Sequence, residues 1–292
     1  MIKATCFGEI LWDVFPTHKK IGGAPLNVAV RLASMNNEVA LISRVGKGKK
    51  GKELIDFLNK SNVDTKAIQI DTKYKTGKVK VTLDEKGSAT YDIMQPRAWD
   101  YIELTQTALD LVKASDVFIY GSLASRNITS KETLYELLKV AKYKIFDVNL
   151  RQPYYTAVVL EYLMTQADFI KFNDDEIYEV AGLLGSTNQS FDHTILFIAE
   201  KTNAKCICVT RGSQGAVLYI DNTFYYNSGY HVEVVDTVGA GDSFLATIIS
   251  KLMKNSNPQE AIDHACAIGA LVASREGANP KIEEKEILNL IG

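Results

Sequence analysis

Cysteine is scarce in this 292-residue chain. The four are Cys6, Cys206, Cys208 and Cys266. Cys206 and Cys208 stand two apart in an apolar run, so they share one face of a strand. Metal-ligand pairs usually have CxxC spacing, and no second cluster exists. Buried, chemically silent thiols in a reducing cytoplasm are therefore expected. Histidine is equally sparse: His18, His193, His231 and His264 are scattered, without metal spacing. No Ser/His/Asp or Cys/His constellation is readable from their order, which argues against a hydrolase. A basic excess is missing too, since 33 Lys and Arg face 35 Asp and Glu, and 33 − 35 leaves −2. Nucleic-acid proteins normally carry a basic stripe. No apolar run approaches the ~18 residues of a membrane span. The first apolar run is broken by Lys3, Glu9 and Asp13, so it lacks the core of a signal peptide. A cytoplasmic protein with no membrane or nucleic-acid partner is expected.

Apolar content, by contrast, is ample at 46%, too high for a disordered chain. The length suggests two domains or one large α/β domain with an insertion. Strand-length apolar runs fall at 2–7, 39–45, 117–121, 145–148, 169–172, 206–210 and 216–220. Between them lie stretches of helical period. In one, Phe244, Leu245, Ile248, Ile249, Leu252 and Met253 share a stripe. Strand–helix repetition with continuously apolar strands reads as a parallel sheet covered on both faces. One stretch breaks the rhythm. In 76–95, Val79, Val81 and Leu83 alternate with Lys78, Lys80 and Thr82. Glu85-Lys86-Gly87-Ser88 turns the chain, and Ala89, Tyr91 and Ile93 then alternate with polar residues. This is an antiparallel hairpin with one apolar face, with which 11–15 could pair. It would serve either as a cover for a cleft or as an edge hairpin packed on the body.

Two glycine-rich turns invite a phosphate reading. Gly46-Lys47-Gly48-Lys49-Lys50-Gly51 fits GxGxxG, the dinucleotide fingerprint, with Asp64 or Asp71 as the distant acid. The same turn fails as a phosphate loop, because Glu53 stands where a Mg²⁺-binding hydroxyl belongs. Its plain alternative is a tight turn with solvated lysines. Asp236-Thr237-Val238-Gly239-Ala240-Gly241-Asp242 is richer. A β-branched run enters it and a long striped helix leaves. Amides at a helix N-terminus, freed by small residues, face an anion. Asp242 is then either a helix-start acid or a base beside an oxyanion nest, an arrangement suited to phosphoryl transfer to a hydroxyl.

Four motifs in order resemble the ribokinase-like (PfkB) family of ATP-dependent sugar kinases. Gly22-Gly23-Ala24-Pro25-Leu26-Asn27 resembles its sugar-site signature, and the 236–242 turn its Asp-Thr-x-Gly-Ala-Gly-Asp signature. Asn173-Asp174-Asp175-Glu176 is similar to its Asn-x-x-Glu motif. Thr210-Arg211-Gly212-Ser213-Gln214-Gly215 is similar to its nucleotide loop. The match covers almost the whole chain. Gly8-Glu9-Ile10-Leu11-Trp12-Asp13, Pro96-Arg97-Ala98-Trp99-Asp100 and Asp147-Val148-Asn149-Leu150-Arg151 are most like a bacterial fructokinase. One departure is that Gly48 stands where many relatives carry an acid.

The resemblance implies a three-layer αβα sandwich over residues 1–292, with a mostly parallel central sheet. A small β-sheet lid would form from about 9–22 and 74–100. It implies transfer from ATP to a sugar's primary hydroxyl, D-fructose giving fructose 6-phosphate, with ribose or 2-keto-3-deoxygluconate as alternatives. Other readings are a non-catalytic sensor on the same scaffold, or a dehydrogenase using the 46–51 turn. By resemblance Asp242 is the general base and Gly239, Ala240 and Gly241 form the anion hole. Asp13, Gly23 and Asn27 hold the sugar, and Arg151 stands near the reacting ends unless it pairs with Asp147 or Asp100. Thr210, Gly212 and Gly215 line the nucleotide groove together with Asn173, Gly239 and Gly241. Asn173 and Glu176 organise Mg²⁺, through water. Asp236, with main-chain oxygens near Ala273 and Gly277, belongs to a K⁺ loop. Tyr91 and Trp99 would pack on the sugar or on a second subunit, making the lid a surface for a homodimer.

Overall fold

The computed structural model of the chain describes residues 1–83, 89–187 and 190–292. Its strands in chain order are β1 (Lys3–Phe7), β2 (Leu11–Val14), β3 (Lys19–Gly22), β4 (Glu38–Gly46), β5 (Val63–Asp64), β6 (Ile68–Asp71) and β7 (Gly77–Leu83). After them come β8 (Ala89–Ile93), β9 (Val117–Gly121), β10 (Lys144–Asp147), β11 (Phe169–Asn173), β12 (Cys206–Thr210), β13 (Ala216–Ile220) and β14 (Thr223–Asn227). The helices are α1 (Ala24–Ser34), α2 (Lys49–Lys60), α3 (Gln106–Ala114), α4 (Ile128–Leu138) and α5 (Ala157–Thr165). The rest are α6 (Asp174–Leu183), α7 (Phe191–Thr202), α8 (Ala240–Leu252), α9 (Pro258–Ala273) and α10 (Glu284–Ile291).

Why the strands are apolar throughout is plain from where their side chains go. Successive residues of a strand point to opposite faces. Phe7, Phe118, Tyr120, Phe146, Ile170 and Phe172 enter one core with α3 to α7. Their neighbours Cys6, Val117, Ile119, Ile145 and Phe169 enter the other, with α1, α2, α8 and α9. Burial on both sides makes the sheet the middle of three layers. The order β14-β13-β12-β11-β10-β9-β1-β4-β5, with β6 also on β4, is parallel except for β13 and β14. Cys206 and Cys208 do share a face, inside the second core, and all four cysteines are buried and unpaired.

A separate four-stranded sheet has the order β3-β2-β7-β8. β7 and β8 pair antiparallel as the alternation requires, with Val79 opposite Ile93, and Val79 and Val81 are buried. The expected turn at Glu85-Lys86-Gly87-Ser88 lies outside the described residues. β2 does join β7, in parallel register, and β3 returns antiparallel on β2. Trp99 is not on this sheet. It is 0% exposed in the first core, with the Arg126 guanidinium stacked 4.0 Å above it. It therefore cannot pack on the sugar, because its ring is wholly enclosed in the core under the Arg126 guanidinium.

Candidate active site

Carboxyl ends of parallel strands are where open α/β sheets bind ligands. Here they open into a cleft of about 1000 Å³. Glu9 follows β1, Asp147 ends β10, and Lys171 and Asn173 end β11. Thr210 ends β12 and Asp242 stands in the first turn of α8. One wall comes from the small sheet, through Asp13, Lys20, Val79, Tyr91 and Ile93. Tyr91, on the hairpin's apolar face with Ile93, is 54% exposed and lines the cleft.

The floor is the 236–242 turn. Thr237 O accepts from the Ala240 amide at 3.3 Å, closing a four-residue turn. Gly239, the third residue, has φ +79°, and a side chain there would meet the Ala278 backbone at 2.6 Å. Glycine is thus needed for close packing as well as for the turn. The three-amide hole is therefore adjusted. Ala240 spends its N–H on Thr237, while the amides of Gly239, Gly241 and Asp242 have no acceptor among the described residues. They stand at the positive end of α8.

Asp242 does not cap its own helix. Its carboxylate accepts from Asn27 Nδ2 at 2.7 Å, and Asn27 Oδ1 accepts from Asn279 Nδ2 at 3.0 Å. Burial, then the Asp147 charge, raise its pKa to about 6, against Asn27, Lys171 and Arg151. Burial likewise lifts Asp13 to about 6 and Glu9 to about 7, and the Arg151 charge opposes both shifts. Both alternative partners of Arg151 are claimed. Lys171 takes Asp147 at 2.9 Å, and Arg126 takes Asp100 at 2.6 Å. Arg151, exposed on the cleft wall, donates to Leu150 O.

Lys171 is the residue that sequence reasoning missed. It is 6% exposed, its ammonium is 2.9 Å from Asp147, and a side chain on Gly241 would stand 3.8 Å from Nζ. Asp147 and Lys171 are register partners on β10 and β11, so the pair is built by the ladder. A signal existed: a lone lysine within Phe-Ile-Lys-Phe, in a strand buried on both faces, must be paired. Asn279 and Glu9 were missed as well. No local pattern announces Asn279, whose role depends on a contact 252 residues away.

Asn173 and Glu176 form a reciprocal capping box at α6. Asn173 Oδ1 accepts from the Glu176 amide and Glu176 Oε2 from the Asn173 amide, both at 2.8 Å. Glu176 Oε1 also accepts from Leu150 N at 2.9 Å. Burial raises the Glu176 pKa, with Lys171 opposing. Gly23, with φ +112°, is required because a side chain would stand 2.5 Å from Glu9 O. Of the expected nucleotide loop, Thr210 lines the cleft, whereas Gly212 and Gly215 do not. Gly215 has φ +81° and packs directly on the Asn227 carbonyl, so it shapes the β12–β13 turn. The 46–51 turn lies away from the cleft: none of its residues lines it, and Gly46 N donates to Thr76 Oγ1 and Lys47 N to Asp71 O. Asp71, the acid the dinucleotide reading needs, is bound to Arg44 and two amides.

A buried carboxylate beside free amides, at the strand ends of a doubly covered sheet, is an arrangement suited to phosphoryl transfer. Known proteins agree. Residues 3–285 match the pfkB family carbohydrate kinase model. A protein of Arabidopsis thaliana named probable fructokinase-6, chloroplastic, is 30% identical over 97% of this chain and 80% of its own length. A fructokinase of Vibrio cholerae O395, solved with fructose, ADP and calcium, superposes with a TM-score of 0.85. It is 24% identical over 100% of this chain and 99% of that one. An uncharacterised sugar kinase of Pyrococcus horikoshii in complex with ATP gives a TM-score of 0.80 at 26% identity, over 99% of each chain. The chain belongs to the pfkB family of carbohydrate kinases. It has the ribokinase-like fold and is an ATP-dependent carbohydrate kinase similar to fructokinases.

Proposed function

We propose that the chain phosphorylates the primary hydroxyl of a ketohexose, converting D-fructose to fructose 6-phosphate at the expense of ATP. The observation that carries this reading is the Asp242 carboxylate, held by Asn27 beside the free amides of Gly239 and Gly241. Asp242 takes the proton from the sugar hydroxyl as its oxygen attacks the γ-phosphorus. The bond from that phosphorus to the bridging oxygen breaks and ADP leaves. The amides of Gly239, Gly241 and Asp242 receive charge on the migrating group. Arg151 pairs phosphoryl oxygens with its fork.

Asp13 and Asn27 accept and donate to sugar hydroxyls, with Gly23 keeping the backbone close. Asn27 retains one N–H and one lone pair after its bonds to Asp242 and Asn279. Thr210 borders the nucleotide, and Gly212 and Gly215 shape the loop beyond it. The donor set at α6 suits a hydrated Mg²⁺. Each Glu176 oxygen spends one lone pair on an amide and keeps another for a metal-bound water, with Asn173 beside it. When bound, that ion offsets charge on the nucleotide phosphates. The small sheet covers the sugar and keeps water from the phosphoryl group. Its edge strands, β3 and β8, offer a face to a second copy of the chain.

The test is ADP release against fructose, ribose, 2-keto-3-deoxygluconate and a nucleoside. Fructose is expected to have the highest kcat/KM. Another compound ranking first overturns the ketohexose assignment, and no ADP from any of them overturns the catalytic reading of Asp242.

A further inference from the structure

Lys20 and Asp236 are 216 residues apart in sequence, yet Lys20 Nζ stands 3.0 Å from Asp236 Oδ2. The lysine belongs to β3 of the small sheet. The aspartate opens the turn that carries the free amides. Burial works against ionised Asp236, but donation from Lys20, Val238 and Gly277 outweighs it and holds the pKa below the carboxylate range. The hydrogen bond to Asp236 raises the Lys20 pKa, so both groups are charged. Glu276 Oε1 lies 3.6 Å from the same ammonium.

The family resemblance assigns Asp236 and nearby main-chain oxygens to a K⁺ loop, and the donor set argues otherwise. Asp236 Oδ1 accepts from the Val238 amide at 3.1 Å, and Oδ2 from Gly277 N at 3.2 Å as well as from Lys20. Ala273 O accepts twice, from Val235 N at 2.8 Å and Asp236 N at 3.1 Å, so both its lone pairs are used. A potassium ion would have to displace an ammonium already tied to the chain. An ammonium and K⁺ are both monovalent cations of similar bulk, and the tethered one binds without loss of translational freedom.

We propose that the Lys20 ammonium is the built-in monovalent cation of this turn, so that the enzyme works without K⁺ and its small sheet is fastened to the anion-binding floor. Lys20 is a positioning residue in this scheme. It acts through Asp236 on the turn that presents Gly239 and Gly241. The inference rests on the kinase reading only for its effect on turnover, since the identity of the cation at Asp236 can be measured without catalysis.

The experiment compares the full-length protein with its Lys20→Met and Asp236→Asn variants in KCl, NaCl and choline chloride of equal ionic strength. Three readouts are taken: Tm, calorimetric Kd for ATP, and ADP release. For the unmodified protein all three are expected to be the same in every salt. In Lys20→Met the carboxylate is freed. K⁺ over choline should then raise Tm by mass action and tighten ATP binding by about fivefold or more, the lower end of ordinary coupling between sites. Asp236→Asn should lose turnover in every salt and respond to none. A K⁺-dependent Tm or Kd in the unmodified protein overturns the proposal, as does a Lys20→Met variant indifferent to the cation. Lack of ADP release in all salts, with the expected Tm and Kd pattern, overturns the kinase reading instead and leaves the cation assignment standing.

Discussion

The 45–51 and 236–242 turns both pass through glycines into a helix, and of these two only the second opens onto the cleft. In the 45–51 turn Gly46 and Lys47 have spent their amides, and a side chain on Gly51 would stand 2.3 Å from the Gly46 carbonyl. No acid stands in the first turn of α2. In the 236–242 turn the amides of Gly239 and Gly241 are unspent, and Asp242 is turned away from its helix toward Asn27. The lysines differ in the same sense. Lys47, Lys49, Lys50 and Lys52 face solvent, whereas Lys171 is sealed beneath Gly241. Glycine spacing alone therefore does not mark an anion site. What separates the two is position: the 236–242 amides open onto the cleft beside a buried carboxylate, and the 45–51 turn does not reach it.

The strongest way to break this contrast is to remove the sealed lysine. Lys171→Met leaves Asp147 buried without its ion and is expected to destabilise the fold by about 3–5 kcal/mol, read as a drop in denaturant midpoint. In the surviving folded enzyme the acid limb of kcat/KM should also move. Asp242 must be ionised to accept a proton, so activity rises with pH through about 6. Loss of a neighbouring positive charge raises that pKa, and the limb should shift to higher pH. A limb that stays in place would detach Lys171 from Asp242.

Asp242→Asn should lower kcat by ~100-fold or more while the sugar Kd changes little. Retained turnover would reduce the open turn to the status of the closed one. Gly51→Ala is the counterpart on the closed side. Overpacking there costs about 1–3 kcal/mol, seen as a lower Tm, while kcat of the folded fraction should be unchanged. A fall in kcat without a fall in Tm would give the 45–51 turn a part in the chemistry. Smallest is Asn279→Ala, which frees the Asn27 amide to rotate. Loss of one hydrogen bond of about 1 kcal/mol should lower kcat several-fold with little change in KM for ATP.

Much of the framework was legible in the residues. Runs at 117–121, 206–210 and 216–220 coincide with observed strands, because a strand buried on both faces has no polar position to blur its ends. The Val79–Val81 alternation marked the small sheet for the opposite reason, a strand with one wet face. Asp242 stood out because small residues precede it at a helix start. Gly212 and Gly215 are less telling, because a turn demands glycine whether or not a nucleotide lies above it. Trp99 misled because its ring was read as an exposed surface when it was core. Asn279 was invisible, since it acts only through Asn27 at the far end of the chain. The Lys171–Asp147 pair was half visible: each residue could be seen, but their adjacency belongs to strand register.

The Asp242–Asn27–Asn279 relay joins residues more than two hundred positions apart. Contacts of such sequence separation form late, because the intervening chain must be ordered first. During synthesis, which proceeds from the N-terminus, Asn27 emerges long before either partner. A ribosome-bound chain stalled ahead of Asn279 would thus hold Asp242 through an Asn27 that still lacks its own brace.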